Sequence, residues 1–287
     1  MMAQLVAGDE GMTPDFAEPA GEAALASADS ISWRVFRNPV SLYIGGITAV
    51  LMEFAEPRVR SGVWDHTSFR TDPLKRMRRT GLAAMVTVYG ARSVSERMIK
   101  SVNRMHDRIT GHTPDGTPYR ASDPELLRWV HATALFGFME AYDRFVVPLT
   151  DEERDRFVGE GVPAARLYGA VHPPENALEL QRLFNDMLPR LEPSEIVRDF
   201  LGIMKRLPLF PWYLRPLSDR LVRAAIACLP APVCAVLQLQ GERPLSALDA
   251  RMIRCLGRLL DRLPLASMPS GRACVRLGLP ADWLNHR

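Results

Sequence analysis

Helix-start signals recur along this 287-residue chain, while the alternation expected of strands is almost absent. Asn38-Pro39 and Asp72-Pro73 each set a capping side chain before a proline at the first helical position. Ser93-x-x-Glu96, Ser122-x-x-Glu125 and Thr150-x-x-Glu153 fit the capping box, in which hydroxyl and carboxylate each accept from an otherwise orphaned N–H. Asp123-Pro124 falls inside the second box, so Ser122 and Asp123 both compete for that cap. Gly90 and Gly111 stand where helices should stop. With the apolar periodicity, these signals predict helices over 39–55, 73–89, 94–110, 124–147, 151–159, 176–190, 194–206, 213–228 and 246–262. Only 233–239 reads as a strand, and Pro232 weakens it. The segment 111–122 is crowded with turn formers and reads as a loop. Such punctuation specifies an all-α protein.

No repeat and no Pro/Gly/Ser linker divides the body of the chain. The reading is a flexible N-terminal arm, 1–32, followed by a single helical domain, 33–287. A net charge of +3 is too small to argue for a nucleic-acid partner. Cys228, Cys234, Cys255 and Cys274 form no C-x-x-C pair and no C-x-x-C-H haem-attachment motif. They read as free thiols of a reducing compartment, with Cys228, Cys234 and Cys255 in apolar context, which favours a cytoplasmic location. The first thirty residues lack the basic-then-apolar pattern of a signal peptide. The most apolar run, Ala224–Leu239, contains Pro230 and Pro232 and is too short to span a bilayer. It reads as a core segment, with a peripheral membrane contact as the alternative.

Two histidines carry the chemical interest. In 94–110, Ile99, Val102, His106 and Ile109 share one stripe; in the next long segment, Leu127, His131, Leu135 and Phe138 do the same. A histidine on an apolar stripe has to find a partner, which is either a protein group or a metal. Neither forms an H-E-x-x-H motif, which disfavours a zinc protease. In 73–89, Arg76, the Arg79–Thr80 step, Ala83 and Val86 share a face, and Gly81, Ala83 and Ala84 would let a large group approach. Arginines on such a face either bind carboxylates or snorkel as a solvated basic turn. His66, in Trp64-Asp65-His66-Thr67-Ser68-Phe69, reads as an acid or base beside a site or as a plain loop histidine. His112, His172 and His286 have no supporting context. Gly45-Gly46 marks either a close helix contact or the approach of a ligand. No G-x-G-x-x-G, P-loop, G-x-S-x-G or kinase signature is present.

Several strings taken together resemble a known family. They are Asp72-Pro73-Leu74 with Arg76-Met77-Arg78-Arg79-Thr80-Gly81, then Tyr89-Gly90, Met105-His106-Asp107-Arg108-Ile109-Thr110-Gly111, Gly116-x-Pro118-Tyr119-Arg120-Ala121 and Asp123-Pro124-Glu125 through Trp129-Val130-His131-Ala132-Thr133. The later Phe210-Pro211-Trp212-Tyr213-Leu214-Arg215-Pro216 belongs with them. Over residues 35–240 the chain resembles the MpaB-type oxygenases, whose catalytic domain is shared with the rubber oxygenases (latex clearing proteins). The resemblance implies an all-α, globin-like core around a non-covalent haem b. It also implies oxidative cleavage of isoprenoid C=C bonds with dioxygen. His106 then matches the proximal iron ligand, and Arg76, Arg79 and Thr80 match the distal side. His131 matches a supporting histidine, and His66 is kept as a haem-side candidate. Arg79 stands where the rubber oxygenases carry lysine, and Glu56-Pro57 where relatives often have His-Pro. Arginine stays protonated, so iron capping by that side chain is not implied. The functional expectation is a haem-dependent oxygenase with a lipophilic substrate and dioxygen as partners; the alternative is a haem- or small-ligand-binding helical protein without turnover.

Overall fold

The computed structural model describes residues 14–208, 215–264 and 266–286, without the Arg215 side chain. It is an all-α domain with one small hairpin among the described residues. Two central helices, α2 (Pro39–Glu53) and α6 (Pro124–Phe145), make the most extensive contact in the fold. Both are apolar nearly all round, as a helix must be when neighbours cover every side. They close on each other through Gly45 and Gly137: a Cβ at Gly45 would lie 2.7 Å from the Gly137 carbonyl oxygen. Of the two readings of Gly45-Gly46, the close helix contact is the observed one at Gly45.

Around this pair run α1 (Ile31–Val35), α3 (Pro57–His66), α4 (Pro73–Tyr89) and α5 (Arg92–His106). After α6 come α7 (Asp151–Glu160), α8 (Val162–Tyr168), α9 (Ala177–Met187), α10 (Glu195–Arg206) and α11 (Arg215–Cys228). The chain closes with α12 (Ala231–Val236), α13 (Ala247–Asp261) and α14 (Pro269–Arg276). The local start signals operate as written in the sequence. Asn38 Oδ1 accepts from the Val40 and Ser41 amides, and Asp72 accepts from Lys75. Thr150 and Glu153 form the full reciprocal box. Asp123, rather than Ser122, caps α6 by accepting from Glu125 and Leu126.

Four local expectations are corrected. Ser93 caps no helix: α5 starts at Arg92, and the Ser93 amide and hydroxyl donate instead to Glu22. The segment 233–239 is not a strand, because α12 occupies most of it with Pro232 in its first turn. The loop 111–122 holds a hairpin, β1 (Thr110–His112) with β2 (Pro118–Arg120), turning where Gly116 has φ 87°. Pro57 begins an unforeseen helix, α3, capped by the Glu56 carboxylate accepting from Val59.

The described part of the expected flexible arm is packed. Phe16 is buried in the core. Arg276, also buried, donates to the carbonyls of Phe16, Glu22 and Tyr89 at 2.7–2.8 Å, and the Gly21 amide donates to Arg276. The apolar run Ala224–Leu239 is core, with Ala224, Ala225, Cys228, Leu229, Val233, Leu237 and Leu239 buried. Among the described residues no helix is long and apolar enough to cross a membrane. The four cysteines are free thiols; Cys255, read as apolar-packed, is exposed on α13. The 210–216 string and the start of the 213–228 helix fall at 209–214, outside the described residues.

Candidate functional site

α4 begins at the Asp72 cap, and its second turn carries the arginine run. The helix separates what the sequence placed together. Arg76 turns inward and is half-buried, whereas Arg79 and Thr80 are exposed, with the Thr80 hydroxyl donating to the Arg76 carbonyl at 3.0 Å. Loss of water pulls the Arg76 guanidinium below its ordinary range, and Arg79 adds to this, while the Glu53 carboxylate opposes it. Glu53 is the last residue of α2. Burial pushes its carboxyl up to about 7, and the attraction of Arg76 offsets this only in part.

His106 ends α5. Its stripe is partly as expected: Ile99 is buried and Val102 half-buried, but Ile109 lies beyond the helix. The His106 ring is half-buried, and its Nδ1 is shielded from water without a hydrogen-bond partner. Burial first, and the Arg76 charge second, hold the imidazole below its ordinary pKa; Asp107 opposes weakly. Burial and the Arg76 charge both favour the uncharged ring, the form that can offer a lone pair to a ligand. Glu53, Arg76 and His106 thus form one electrostatic group built from the ends of three helices.

His131 does not share it. Its Nε2 is also buried without a partner, and burial alone pushes its pKa down to about 4. No charged group contributes to that shift. The ring packs at the start of α8, where a Cβ on Gly161 would come within 3.0 Å of Cε1 and 3.2 Å of Nε2. His66 is elsewhere again. It is the exposed last residue of α3 and meets the Tyr119 hydroxyl through Nε2 at 3.0 Å, tying that helix to the hairpin.

Glu53, Arg76, His106 and His131 keep some accessible surface, yet loss of water is the leading cause of each shift. The surrounding helices therefore withdraw each of these groups from water without closing it off completely. α4 and α8 are joined by the Thr87 and Tyr168 hydroxyls at 3.1 Å, and Asn103 of α5 donates to the Leu167 carbonyl at 2.9 Å. Among the described residues no three His, Cys, Asp or Glu side chains come together to hold a bare metal ion. His106 offers a single unpartnered imidazole nitrogen, and no pair of further His, Cys, Asp or Glu side chains joins it among the described residues.

The residue sequence reasoning missed is Glu53. Its signal was a lone carboxylate ending the apolar run Ile47-Thr48-Ala49-Val50-Leu51-Met52.

A family model described as ER-bound oxygenase mpaB/B'/Rubber oxygenase, catalytic domain, matches residues 33–262, about four-fifths of the chain. No curated protein and no solved structure gives a significant match. The matched stretch runs from α1 through α13 and includes every element that carries Glu53, Arg76, His106 and His131.

Proposed function

The chain belongs to the MpaB/rubber oxygenase catalytic-domain family, and we propose that it is a haem b-dependent oxygenase cleaving a C=C bond in a lipophilic, isoprenoid-like substrate. The observation that carries this reading is His106: a neutral imidazole with a buried, unpartnered Nδ1, inside a domain of an oxygenase family. When bound there, haem b supplies the iron that activates dioxygen. His106 is the residue to hold it, because its ring is kept deprotonated by burial and by Arg76. Arg76 supplies a guanidinium, shielded from water, to meet negative charge on the oxygen-facing side. Glu53, with a pKa near 7, can hold or release a proton at its carboxyl at working pH. Arg79 and Thr80 are exposed on the same helix, which suits contact with an incoming substrate. His131 supports the packing of α6 on α8.

The test combines spectrum and turnover. The haem-reconstituted chain is expected to show a Soret band, to consume oxygen with a polyisoprenoid alkene, and to yield carbonyl products that react with a hydrazine. Absence of any Soret band after reconstitution overturns the reading. A Soret band without oxygen uptake across isoprenoids of graded length would instead establish the non-turnover haem binder.

A further inference from the structure

α13 carries none of Glu53, Arg76, His106 and His131. The helix is fixed at the opposite end of α2 from Glu53, where Asn38 donates to the Gly257 carbonyl at 2.9 Å. Ile253 and Gly257 face inward and are buried. On the outside, Leu248, Met252, Cys255 and Leu259 follow one another at i, i+4, i+7 and i+11, and Leu263 continues the stripe past the helix end. These are large exposed apolar groups: Leu248 is 77%, Leu259 59% and Leu263 44% exposed. Burial of this kind left undone over four turns marks a surface with a partner.

The charges beside the stripe say which partner. At 100° per residue, Arg251, Arg254, Arg258 and Arg262 form a continuous ridge along one flank of it. Arg258 is tied to the Val146 carbonyl, while Arg251, Arg254 and Arg262 have no ion-pair partner among the described residues. Both carboxylates of the helix are turned away and engaged. Asp249 meets Arg220 at 2.8 Å and Arg223 at 3.3 Å, and Asp261 meets Arg37 at 3.3 Å. The exposed face therefore carries aliphatic groups and positive charge, with no carboxylate, tryptophan or tyrosine.

We propose that α13 is an interfacial helix that seats the protein on an anionic lipid bilayer, its leucine and methionine side chains entering the acyl boundary and its arginines meeting lipid phosphates and carboxylates. A second copy fits less well: an antiparallel two-fold contact sets arginine ridge against arginine ridge, and a parallel one leaves each ridge beside the partner's stripe without a carboxylate. An acidic protein would be recognised by the charge but would leave an aliphatic stripe one helix wide without the aromatic anchors that dominate protein interfaces. A bilayer satisfies both halves of the face at once, aliphatic depth and anionic surface. The surface stands independently of the oxygenase reading.

The test is flotation of the full chain with vesicles of three parts phosphatidylcholine to one part phosphatidylserine, against phosphatidylcholine alone. The chain is expected to float with the anionic vesicles, less so as salt rises, and to stay behind with the neutral ones. Leu248→Ser with Leu259→Ser, and separately Arg251→Ser with Arg254→Ser and Arg262→Ser, should each lower partitioning about ten-fold or more. All five positions are exposed, so the unfolding midpoint should hold, and Lys100→Ser on α5 should change nothing. Failure to float with anionic vesicles, or flotation indifferent to both variant sets, overturns the proposal. So does a dimer in sedimentation that the leucine variant dissolves, which would place a second copy on the face.

Discussion

The surroundings of His106 and His131 are alike in pattern and different in chemistry. Each histidine sits on an apolar helical stripe, each has a buried ring nitrogen without a partner, and burial lowers the pKa of each. His131 is pushed down to about 4 by burial, with no charged group contributing, and its ring fills the space that Gly161 leaves open. His106 stands in the field of Arg76, which in turn stands against Glu53. Burial is therefore the wrong axis on which to rank the two. On the proposed reading, the histidine shifted by burial alone is a packing element and the one with charged neighbours is the cofactor ligand.

The largest effect that separates them is on cofactor affinity. His106→Ala should weaken haem binding by about 100-fold or more, roughly 2.7 kcal/mol, while His131→Leu should leave it within a few-fold. A haem titration followed by absorbance reads both. The reverse ranking would exchange their roles.

Next comes stability against pH, where Glu53 and His131 act with opposite signs. Glu53 has a folded pKa of about 7 against an ordinary 4.5, so the folded state binds the extra proton and stability falls as pH rises from 4.5 to 7. His131 has a folded pKa of about 4 against 6.5, so the folded state binds fewer protons and stability falls as pH drops from 6.5 to 4. Each contribution is at most about 3 kcal/mol, and in the parent chain they largely cancel. Denaturant unfolding of the haem-free chain should reveal an acid-labile slope in Glu53→Gln and an alkali-labile slope in His131→Leu. Identical slopes in the two variants would break the assignment.

A smaller effect comes from Gly161→Ala. Its methyl would crowd the His131 ring and the Leu135 side chain at 3.0 Å, costing about 1 kcal/mol of stability with no change in haem affinity. The smallest is an electrostatic shift at constant fold. Arg76→Gln removes a positive neighbour, so the His106 titration should move upward while that of His131 stays in place, as imidazole proton resonances would report.

How much of this was legible depended on whether its cause was local. Asn38, Asp72 and Thr150 announced their helices because a cap is settled within three residues. Glu56-Pro57 carried the same signal for α3 in a less familiar form, a glutamate cap followed by proline. The hairpin at 110–120 was hidden because its strands have only three residues each and are held by pairing across the turn and by contact with α3. Periodicity found both histidine stripes, but it could not tell that Arg76 turns inward while Arg79, three residues on, faces solvent. Glu53 was invisible for the same reason: its meaning is set by the approach of α4 to the end of α2, and no spacing along the chain encodes that approach. The exposed stripe on α13 was present as periodicity, but which of its faces points outward is known only once Ile253 and Gly257 are seen packed against the core.

The most direct test of the central claim is to open a hole at His106 and fill it again. Haem is titrated into His106→Gly with and without free imidazole, beside His131→Gly treated the same way, and the absorption spectrum is recorded. His106→Gly is expected to give no Soret band until imidazole is added, whereupon the parent spectrum returns, while His131→Gly keeps the parent band throughout. A parent-like band in His106→Gly without imidazole, or rescue confined to His131→Gly, would contradict the claim.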